Sequence, residues 1–406
     1  MSATHIIVGA GQAGGWAAMA MRQAGFTGRI LLIGEERWRP YERPPLSKAV
    51  LTDDPEPDVL YFHAESRYAE QQIELRLGTA VAAIEPDQHR VHMADGSVLA
   101  YDKLLLAVGG QARRLPVHGG DRALYLRTLE DARLIRERLA TAKHVVCIGA
   151  GVIGLEIASS ARKRGCAVTV LEALPRAMGR AVSPEGAAFI ESLHRAAGVD
   201  LRFQVIVDRL EPSTDDGTCV ICRDGQRFTG DLVIAGIGMQ RNLALAEAAG
   251  LALEGGIVVD EHGRTSAPDI YAAGDVTAFF HPLFQHRLRL ETWRHAQNQG
   301  AAVGKAMCGD PAPYDDIPWF WTDQHGVNLQ VAGLPAEAAR TLVRSTTAPG
   351  AFVAVHLDET DRVIGVTAAN NPREIRAGQA LIKARQTVDA AALADGAIPL
   401  QRLIAR

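Results

Sequence analysis

The chain has 406 residues, of which 47% are apolar and 22% are charged, and its formal net charge is −4 at pH 7. This composition supports a sizeable core and excludes a largely disordered chain, and the slight acidity argues against a general nucleic-acid binder. The five cysteines are odd in number and scattered, which fits a reducing compartment better than a disulfide framework. The apolar stretches are strand-length and interrupted by glycine, and no basic leader opens the chain. We therefore expect a soluble, cytoplasmic protein of two or three domains that binds neither a membrane nor nucleic acid.

The first predicted elements are a buried strand, a glycine-rich turn and a helix. The apolar run His5–Val8 precedes Gly9-Ala10-Gly11-Gln12-Ala13-Gly14, and a helix is predicted over Gln12–Ala24. In this context the glycines allow a tight turn and close approach of the backbone to a pyrophosphate, and the helix N-terminus offers unpaired N–H groups. A second strand, Arg29–Ile33, leads to Glu35, whose carboxylate can accept hydrogen bonds from ribose hydroxyls. The predicted dinucleotide contacts are Gly9, Gly11, Ala13, Gly14 and Glu35.

The same unit recurs 140 residues further along the chain. The apolar run Val145–Ile148 is followed by Gly149-Ala150-Gly151-Val152-Ile153-Gly154, and the next predicted strand leads to Glu172. A carboxylate at that place repels a 2′-phosphate, so Glu172 favours NADH over NADPH, although Arg176 and Arg180 lie nearby. Two dinucleotide sites in one chain indicate FAD and a nicotinamide nucleotide, and hence flavin-mediated electron transfer. The second site is predicted at Gly149, Gly151, Gly154 and Glu172.

The alternation of strands and helices predicts the α/β class, with two Rossmann-like, doubly wound nucleotide-binding domains. The apolar run Lys103–Val108 and the stretch Gly263–Val276 belong with the first unit, so the FAD-binding domain is predicted to be discontinuous. After residue 313 the nucleotide patterns stop, which indicates a smaller α+β domain at the C-terminus. The predicted domains are 1–110 with 236–313 for FAD, 111–235 for NAD, and 314–406 for the C-terminal domain.

The segment Thr265–Asp275 (TSAPDIYAAGD) resembles the second FAD motif of the FAD-dependent pyridine nucleotide–disulfide oxidoreductase superfamily. The resemblance implies a glutathione reductase-like fold in which Asp275 holds the ribityl chain of FAD. Tyr101–Gly110 is similar to the middle motif of that superfamily, with Val108 in place of the usual threonine. Disulfide reductases carry a redox-active cysteine pair in the first domain, whereas no cysteine precedes Cys147 here. Thiol–disulfide chemistry at the flavin is therefore not expected.

The segment Arg43-Pro44-Pro45-Leu46-Ser47-Lys48, in the place of that cysteine pair, narrows the resemblance. It is similar to the NADH:ferredoxin reductases that serve bacterial oxygenases, and the similarity extends along almost the whole chain. The other matching segments are Tyr125–Ala132, Gly149–Glu156, Gly236-Ile237-Gly238, Glu291-Thr292-Trp293 and Pro318–Gln324. The resemblance implies that a hydride passes from NADH to FAD. Single electrons then pass to a [2Fe–2S] ferredoxin that feeds a P450 or a Rieske-type oxygenase.

The resemblance also implies roles for individual residues. Lys48 is expected near flavin N5, paired with Glu156, and these two form the predicted catalytic pair. Glu291 is expected at the nicotinamide end, and Trp293 is expected to open a helix whose N-terminus faces the flavin pyrimidine edge. Trp321 is expected either against the flavin or in the packing of a domain interface. Further cofactor contacts are expected at Arg43, Lys48, Val81, Arg127 and Gly238.

Other functions stay open at this point: a rubredoxin reductase, an NADH oxidase, or a redox-sensing flavoprotein similar to apoptosis-inducing factor. Ferredoxins are usually acidic, and residues 373–406 hold six basic residues against three acids, which indicates either a docking patch or a solvated helix face. The histidines are dispersed, so we expect no metal site. We expect a monomer or a weak homodimer. The six basic residues are Arg373, Arg376, Lys383, Arg385, Arg402 and Arg406.

Overall fold

The structure is a computed structural model that describes residues 3–53, 60–213, 217–310, 312–346 and 350–404. Two compact units are present. The first contains Met1–Glu42, Glu56–Gln111 and Gln240–Asp316, and the second contains Arg43–Pro55, Ala112–Met239 and Ile317–Arg406. No helix in the described ranges is long and apolar enough to cross a bilayer.

The helices are α1 (Gln12–Gln23), α2 (Ala49–Thr52), α3 (Glu65–Glu70), α4 (Leu129–Leu139), α5 (Val152–Lys163), α6 (Pro184–Ala196), α7 (Ala244–Ala248), α8 (Trp293–Met307), α9 (Pro372–Ala384) and α10 (Ala390–Ala394). The strands up to residue 172 are β1 (Thr4–Val8), β2 (Arg29–Gly34), β3 (Ile73–Leu77), β4 (Val81–Glu85), β5 (Arg90–Met93), β6 (Val98–Ala100), β7 (Lys103–Leu106), β8 (Gly110–Ala112), β9 (His144–Ile148) and β10 (Ala167–Glu172). The later strands are β11 (Val199–Phe203), β12 (Val207–Pro212), β13 (Thr218–Cys222), β14 (Arg227–Gly230), β15 (Leu232–Ala235), β16 (Met239–Arg241), β17 (Ile257–Val259), β18 (Ile270–Ala272), β19 (Thr277–His281), β20 (His286–Leu288), β21 (Trp319–Gln324), β22 (Val327–Gly333), β23 (Arg340–Val343), β24 (Phe352–Leu357) and β25 (Val363–Ala369).

The first unit is built on a five-stranded parallel sheet in the order β18-β7-β1-β2-β3. Its central strands are apolar on both faces, as in Ile6-Ile7 and Leu104–Leu106, because helices cover parallel sheets on both sides. The chain leaves β1 toward β2 on one side, and β7 lies on the other. The carboxyl end of β1 is therefore the switch point at which open α/β sheets bind ligands.

Helix α1 follows that switch point and is held from outside by α8. A Cβ on Gly300 would overlap the main chain of Ala13, and one on Gly304 would lie 2.6 Å from the carbonyl oxygen of Ala17. Glycine at both positions lets the α8 backbone approach α1 closely. The predicted helix Gln12–Ala24 ends at Gln23, because Gly25 adopts φ +82°. The backbone N–H groups of Gly25 and Phe26 then donate back to the carbonyl oxygens of Arg22 and Met21 in α1.

The second unit contains a parallel sheet in the order β11-β10-β9-β15 and an antiparallel β12-β13-β14 sheet. It also contains an antiparallel five-stranded sheet in the order β21-β22-β25-β24-β23, against which α9 packs. The two parallel sheets and the antiparallel C-terminal sheet confirm the predicted fold class. Residues 43–55, which the sequence assigns to the FAD-binding domain, belong to this second unit. The three-domain boundaries stay a prediction.

Candidate active site

The first glycine loop leaves β1 with the geometry of a pyrophosphate cradle. Gly9 has φ +111°, and a Cβ there would overlap the carbonyl oxygen of Ala107. A Cβ on Gly14 would overlap the carbonyl oxygen of Gly9, so this glycine permits the helix to pack on the strand. A Cβ on Gly11 would meet nothing within 4 Å. The middle glycine therefore borders open space in which a phosphate group could approach the backbone.

The N-terminus of α1 suits an anion. Its N-cap is Gly11, and among the described residues no side chain caps it and no acid occupies its first turn. The first N–H groups of a helix have no intrahelical acceptor, and the helix dipole is positive at that end. The residues present thus fit the phosphate part of a dinucleotide.

The second glycine loop repeats this geometry after β9. Gly149 has φ +102°, and a Cβ there would lie 2.5 Å from the carbonyl oxygen of Gly236. A Cβ on Gly154 would overlap the carbonyl oxygen of Gly149, whereas one on Gly151 would have only the Gly236 oxygen nearby, at 3.8 Å. Helix α5 starts from Gly151, again with no side-chain cap and no acid in its first turn within the part of the chain described.

The two predicted ribose acids lie at the ends of corresponding strands. Glu172 ends β10, and its carboxylate accepts hydrogen bonds from the backbone N–H of Ala150 (2.7 Å) and of Leu174 (2.8 Å). Since Ala150 is within the glycine loop, these bonds fix the carboxylate beside that loop. Glu35 directly follows β2 and is exposed. Arg180 is the nearer of the two neighbouring arginines to Gly238, whose Cβ would lie 3.9 Å from its Nη2.

Asp275 is connected to Glu291 by an arginine that the sequence analysis did not single out. Asp275 is half-buried after β18, and its carbonyl oxygen accepts a hydrogen bond from Arg241 Nε (2.7 Å). The same guanidinium pairs with Glu291 through Nη2 at 2.8 Å. Gly274, just before the aspartate, has φ +83°, and a Cβ there would lie 2.9 Å from Ala13 Cβ. Arg241 follows Gly238 by three residues but belongs to no quoted motif, so no sequence signal indicated it.

Trp293 opens α8, as predicted. Its indole Nε1–H donates to Glu42, a second residue that the sequence analysis missed. Burial raises the pKa of the Glu42 carboxyl, and the bond from Trp293 acts in the opposite direction. The helix N-terminus is capped by the Thr292 hydroxyl, which accepts from the backbone N–H of His295 at 3.2 Å. Whether the helix faces a flavin stays a prediction.

The predicted ion pair between Lys48 and Glu156 is present, with Nζ 2.9 Å from Oε2. Glu156 is 2% exposed on α5, and Lys48 is 21% exposed. The carboxylate accepts two more hydrogen bonds, from the hydroxyls of Ser47 and Thr322 (2.7 Å for the latter). Lys48 also donates to the carbonyl oxygen of Pro44 at 3.0 Å. Three donors therefore converge on one buried carboxyl group.

The remaining predicted contacts lie in separate places. Arg43 Nη1 donates to the carbonyl oxygen of Arg127 (2.6 Å), so these two are brought together. Trp321 is half-buried on β21, stacked on Trp319 with ring centroids 5.3 Å apart, and its Nε1–H donates to Asp323 (3.0 Å).

Val81 begins β4 and offers apolar surface only. Of the basic residues in 373–406, those at 373, 376, 383, 385 and 402 are exposed, and Arg406 lies outside the described residues.

The cysteines are unsuited to thiolate chemistry. All five are free thiols, and four of them are buried. Burial raises the pKa of Cys147 to about 12 and that of Cys222 to about 11. Within the described ranges no three His, Cys, Asp or Glu side chains are grouped as metal ligands.

Comparison with known proteins assigns the class that this geometry defines. The family model "Pyridine nucleotide-disulphide oxidoreductase" matches residues 3–300, and the model "Reductase C-terminal" matches residues 319–404. The chain belongs to the pyridine nucleotide-disulphide oxidoreductase family, and it is an oxidoreductase.

Individual relatives indicate a narrower class of enzyme than the family model does. The chain is 41% identical to putidaredoxin reductase of Pseudomonas putida, over 98% of this chain and 96% of the relative. It is 38% identical to the ferredoxin–NAD(+) reductase component of the anthranilate 1,2-dioxygenase system of Burkholderia cepacia, over 98% of each chain. The crystal structure of the covalent putidaredoxin reductase–putidaredoxin complex superposes with a TM-score of 0.94 at 40% identity, covering 99% of this chain and 98% of that one. These findings confirm the resemblance identified from the motifs.

Proposed function

We propose that this protein is an NADH-dependent ferredoxin reductase that supplies electrons to a P450 or a Rieske-type oxygenase. The observation that carries the proposal is the Lys48–Glu156 pair in a chain that has no cysteine before Cys147. Disulfide exchange requires a reactive thiolate, whereas an ion pair handles charge and protons. The two relatives described above are named as reductases of putidaredoxin and of a ferredoxin, which supports the choice of acceptor.

FAD and NAD(H) are the cofactor and the electron donor. FAD, when bound, accepts a hydride as one unit and returns its two electrons singly, chemistry that side chains cannot supply. The loop containing Gly9, Gly11 and Gly14 would hold its pyrophosphate, with Glu35 on the adenosine ribose and Asp275 on the ribityl chain. The loop containing Gly149, Gly151 and Gly154 would hold the pyrophosphate of NADH, with Glu172 on its ribose.

The proton balance of the reaction indicates a role for Lys48 and Glu156. NADH supplies a hydride, which is two electrons and one proton, whereas two ferredoxins each accept one electron. One proton must therefore leave in every turnover, alongside NAD⁺ and two reduced ferredoxins. The Lys48 ammonium and the Glu156 carboxylate lie 2.9 Å apart, so a proton donor and a proton acceptor stand together for this step, and the fixed ion pair can also position the nicotinamide for hydride transfer.

We extend the proposal to the cluster type, the compartment and the assembly. The acceptor is a [2Fe–2S] ferredoxin, and the protein works in the cytoplasm as a monomer or weak homodimer. Five free thiols support a reducing compartment. Light scattering across a concentration series should give a mass near 43.6 kDa at low concentration. A constant mass of twice that value would contradict the assembly.

The test is NADH-driven reduction of cytochrome c with and without a [2Fe–2S] ferredoxin, with oxygen uptake recorded in parallel. A large ferredoxin-dependent stimulation with little oxygen uptake is the expected result. Equal rates without ferredoxin and fast oxygen consumption would indicate an oxidase. A long-lived complex of reduced enzyme and NAD⁺ that no ferredoxin or rubredoxin discharges would indicate a sensor.

A further inference from the structure

Glu156 is the inner end of a chain of buried hydrogen bonds that extends beyond its ion pair. The Thr322 hydroxyl donates to Glu156 Oε1 at 2.7 Å. Gln324 Nε2 donates to the Thr322 oxygen at 2.9 Å. Gln324 Oε1 accepts from His194 Nε2 at 2.7 Å, and His194 Nδ1 lies 3.1 Å from His325 Nε2. Thr322, Gln324 and His194 are each at most 1% exposed.

The direction of every bond follows from its inner end. A carboxylate only accepts, so the Thr322 hydroxyl must donate to Glu156 and must itself accept from the Gln324 amide nitrogen. The amide oxygen of Gln324 then faces His194, which fixes that imidazole as its Nε2–H tautomer. His194 Nδ1 is left to accept the Nε2–H of His325. All four donors therefore point toward Glu156, and bonds in series with one sense strengthen one another.

His325, at the outer end of this series of hydrogen bonds, lies in a tight hairpin. His325 and Gly326 are the two-residue turn between β21 and β22, and both have positive φ, +49° and +77°. The backbone N–H of His325 donates to the Ser159 hydroxyl on α5 at 2.9 Å. The half-buried ring borders an open cavity of about 580 Å³ that Lys48 also lines.

Burial disfavours the charged form of both imidazoles. Burial lowers the pKa of His194 to about 4, against a smaller opposing effect of Gln324. Burial and the nearby Arg162 guanidinium lower the pKa of His325. The series of hydrogen bonds therefore acts on Glu156 through oriented neutral dipoles and adds no second charge. Burying three polar side chains is costly unless each is hydrogen-bonded, and here each of them is.

We propose that Thr322, Gln324 and His194 are positioning residues that hold the Glu156 carboxylate against Lys48 for the hydride-transfer step, with His325 as their anchor. The proposal rests on the proposed function of the Lys48–Glu156 pair. The hydroxyl of Thr322 occupies Oε1, while Ser47 and Lys48 occupy Oε2. Without the Thr322 hydroxyl, the Glu156 carboxylate can rotate away from Lys48. Small displacements of a catalytic group slow the catalysed step strongly.

The C-terminal sheet offers a matched control. Thr367 and His356 are also fully buried and share a hydrogen bond of 2.9 Å, and burial lowers the pKa of His356 to about 4. Neither residue is bonded to Glu156. Thr322→Val and Thr367→Val thus each remove a buried, hydrogen-bonded threonine hydroxyl, and only the Thr322 hydroxyl is bonded to the ion pair.

The first readout needs no turnover. The oxidised holoenzyme is labelled with ¹³C at the glutamate carboxyl, and the Glu156 resonance is assigned by its loss in Glu156→Gln. Thr322→Val and Gln324→Met are expected to shift this resonance, whereas Thr367→Val leaves it in place. A Glu156 resonance that does not move in either Thr322→Val or Gln324→Met would overturn the proposal. Gln324→Met, one bond further out, keeps the test available if Thr322→Val does not fold.

The second readout separates binding from chemistry. In anaerobic stopped-flow reduction by NADH alone, Thr322→Val should lower the limiting rate of flavin reduction by about tenfold or more. Its Kd for NADH should change by less than about twofold, and Thr322→Ser should restore the rate. Equal effects of Thr322→Val and Thr367→Val, or an unchanged rate despite a shifted resonance, would refute the positioning role. No ferredoxin is present, so failure of the ferredoxin proposal would leave both readouts interpretable.

Discussion

The buried charge of Glu156 is balanced by a neighbouring cation, Lys48. The Glu156 carboxylate is 2% exposed and has Lys48 as its cationic partner, whereas the Lys48 ammonium is 21% exposed and can be hydrated. Removing the lysine leaves an uncompensated buried carboxylate, which is the expensive half of a broken buried pair. Replacing Lys48 should therefore lower the free energy of unfolding more than replacing Glu156, whereas either replacement should slow the reduction of the flavin by NADH.

We expect Lys48→Ala and Glu156→Ala both to slow anaerobic flavin reduction by NADH. Lys48→Ala should in addition lower the free energy of unfolding by about 3 kcal/mol, and Glu156→Ala by less. Stopped-flow reduction and urea unfolding measure the two effects. The control is Lys163→Ala, which removes an ion pair with Asp53 at 2.9 Å whose side chains are 64% and 59% exposed. That change should cost less than about 1 kcal/mol. Wild-type reduction rates in both test variants would remove the pair from the mechanism.

We predict that a single residue, Glu172, determines the preference for NADH over NADPH. Its carboxylate is fixed beside the glycine loop by the N–H groups of Ala150 and Leu174 and would repel a 2′-phosphate. Glu172→Ala should reduce the preference for NADH over NADPH, expressed as a ratio of kcat/KM values, by about tenfold or more. Glu191→Ala is the control, because Glu191 also accepts a backbone N–H, from Ala177 at 3.0 Å, but not from the loop. An unaltered ratio in Glu172→Ala would mean that other residues discriminate.

Two glycines serve helix α1 in different ways. Gly11 borders open space, whereas Gly300 of α8 contacts the main chain of Ala13 closely. Gly11→Ala should therefore change the unfolding free energy of the apoprotein by less than about 1 kcal/mol while weakening FAD binding. Gly300→Ala should destabilise the apoprotein by about 1–3 kcal/mol through overpacking, despite the better helix propensity of alanine. Urea unfolding and FAD titration separate the two. Equal destabilisation by both would contradict the assignment of the open space to a ligand.

The elements also show what could be predicted from the sequence. The glycine loops were predictable because the strand, turn and helix are adjacent in the chain, and the spacing of the glycines reports a local geometry. The pairing of Lys48 with Glu156 came only from a family resemblance. The hydrogen bonds of Thr322 and His194 were not predictable, because their partners lie 166 and 130 residues away along the chain. Spacing carries no information about such contacts.

At the scale of the whole molecule, the two units share a dependence on pH through buried histidines. His5 and His295 lie in the first unit, and His194 and His356 in the second. Burial lowers the pKa of His5, His194 and His356 to about 4 and that of His295 to about 3. An unfolded chain titrates its histidines near pH 6.5.

Between pH 6.5 and about 4, the unfolded chain therefore binds protons that the native protein does not, and stability falls as the pH is lowered. Each histidine contributes a slope of about 1.4 kcal/mol per pH unit in that window and none above it. Urea unfolding of the holoenzyme from pH 7.5 to 5, followed by tryptophan and flavin fluorescence, measures the total slope. His5→Phe should reduce that slope by one histidine's share, because the His5 ring stacks on Phe26 at 3.9 Å and a phenyl ring can take its place. A stability that stays level from pH 6.5 to 5 would show that these imidazoles gain protons without unfolding.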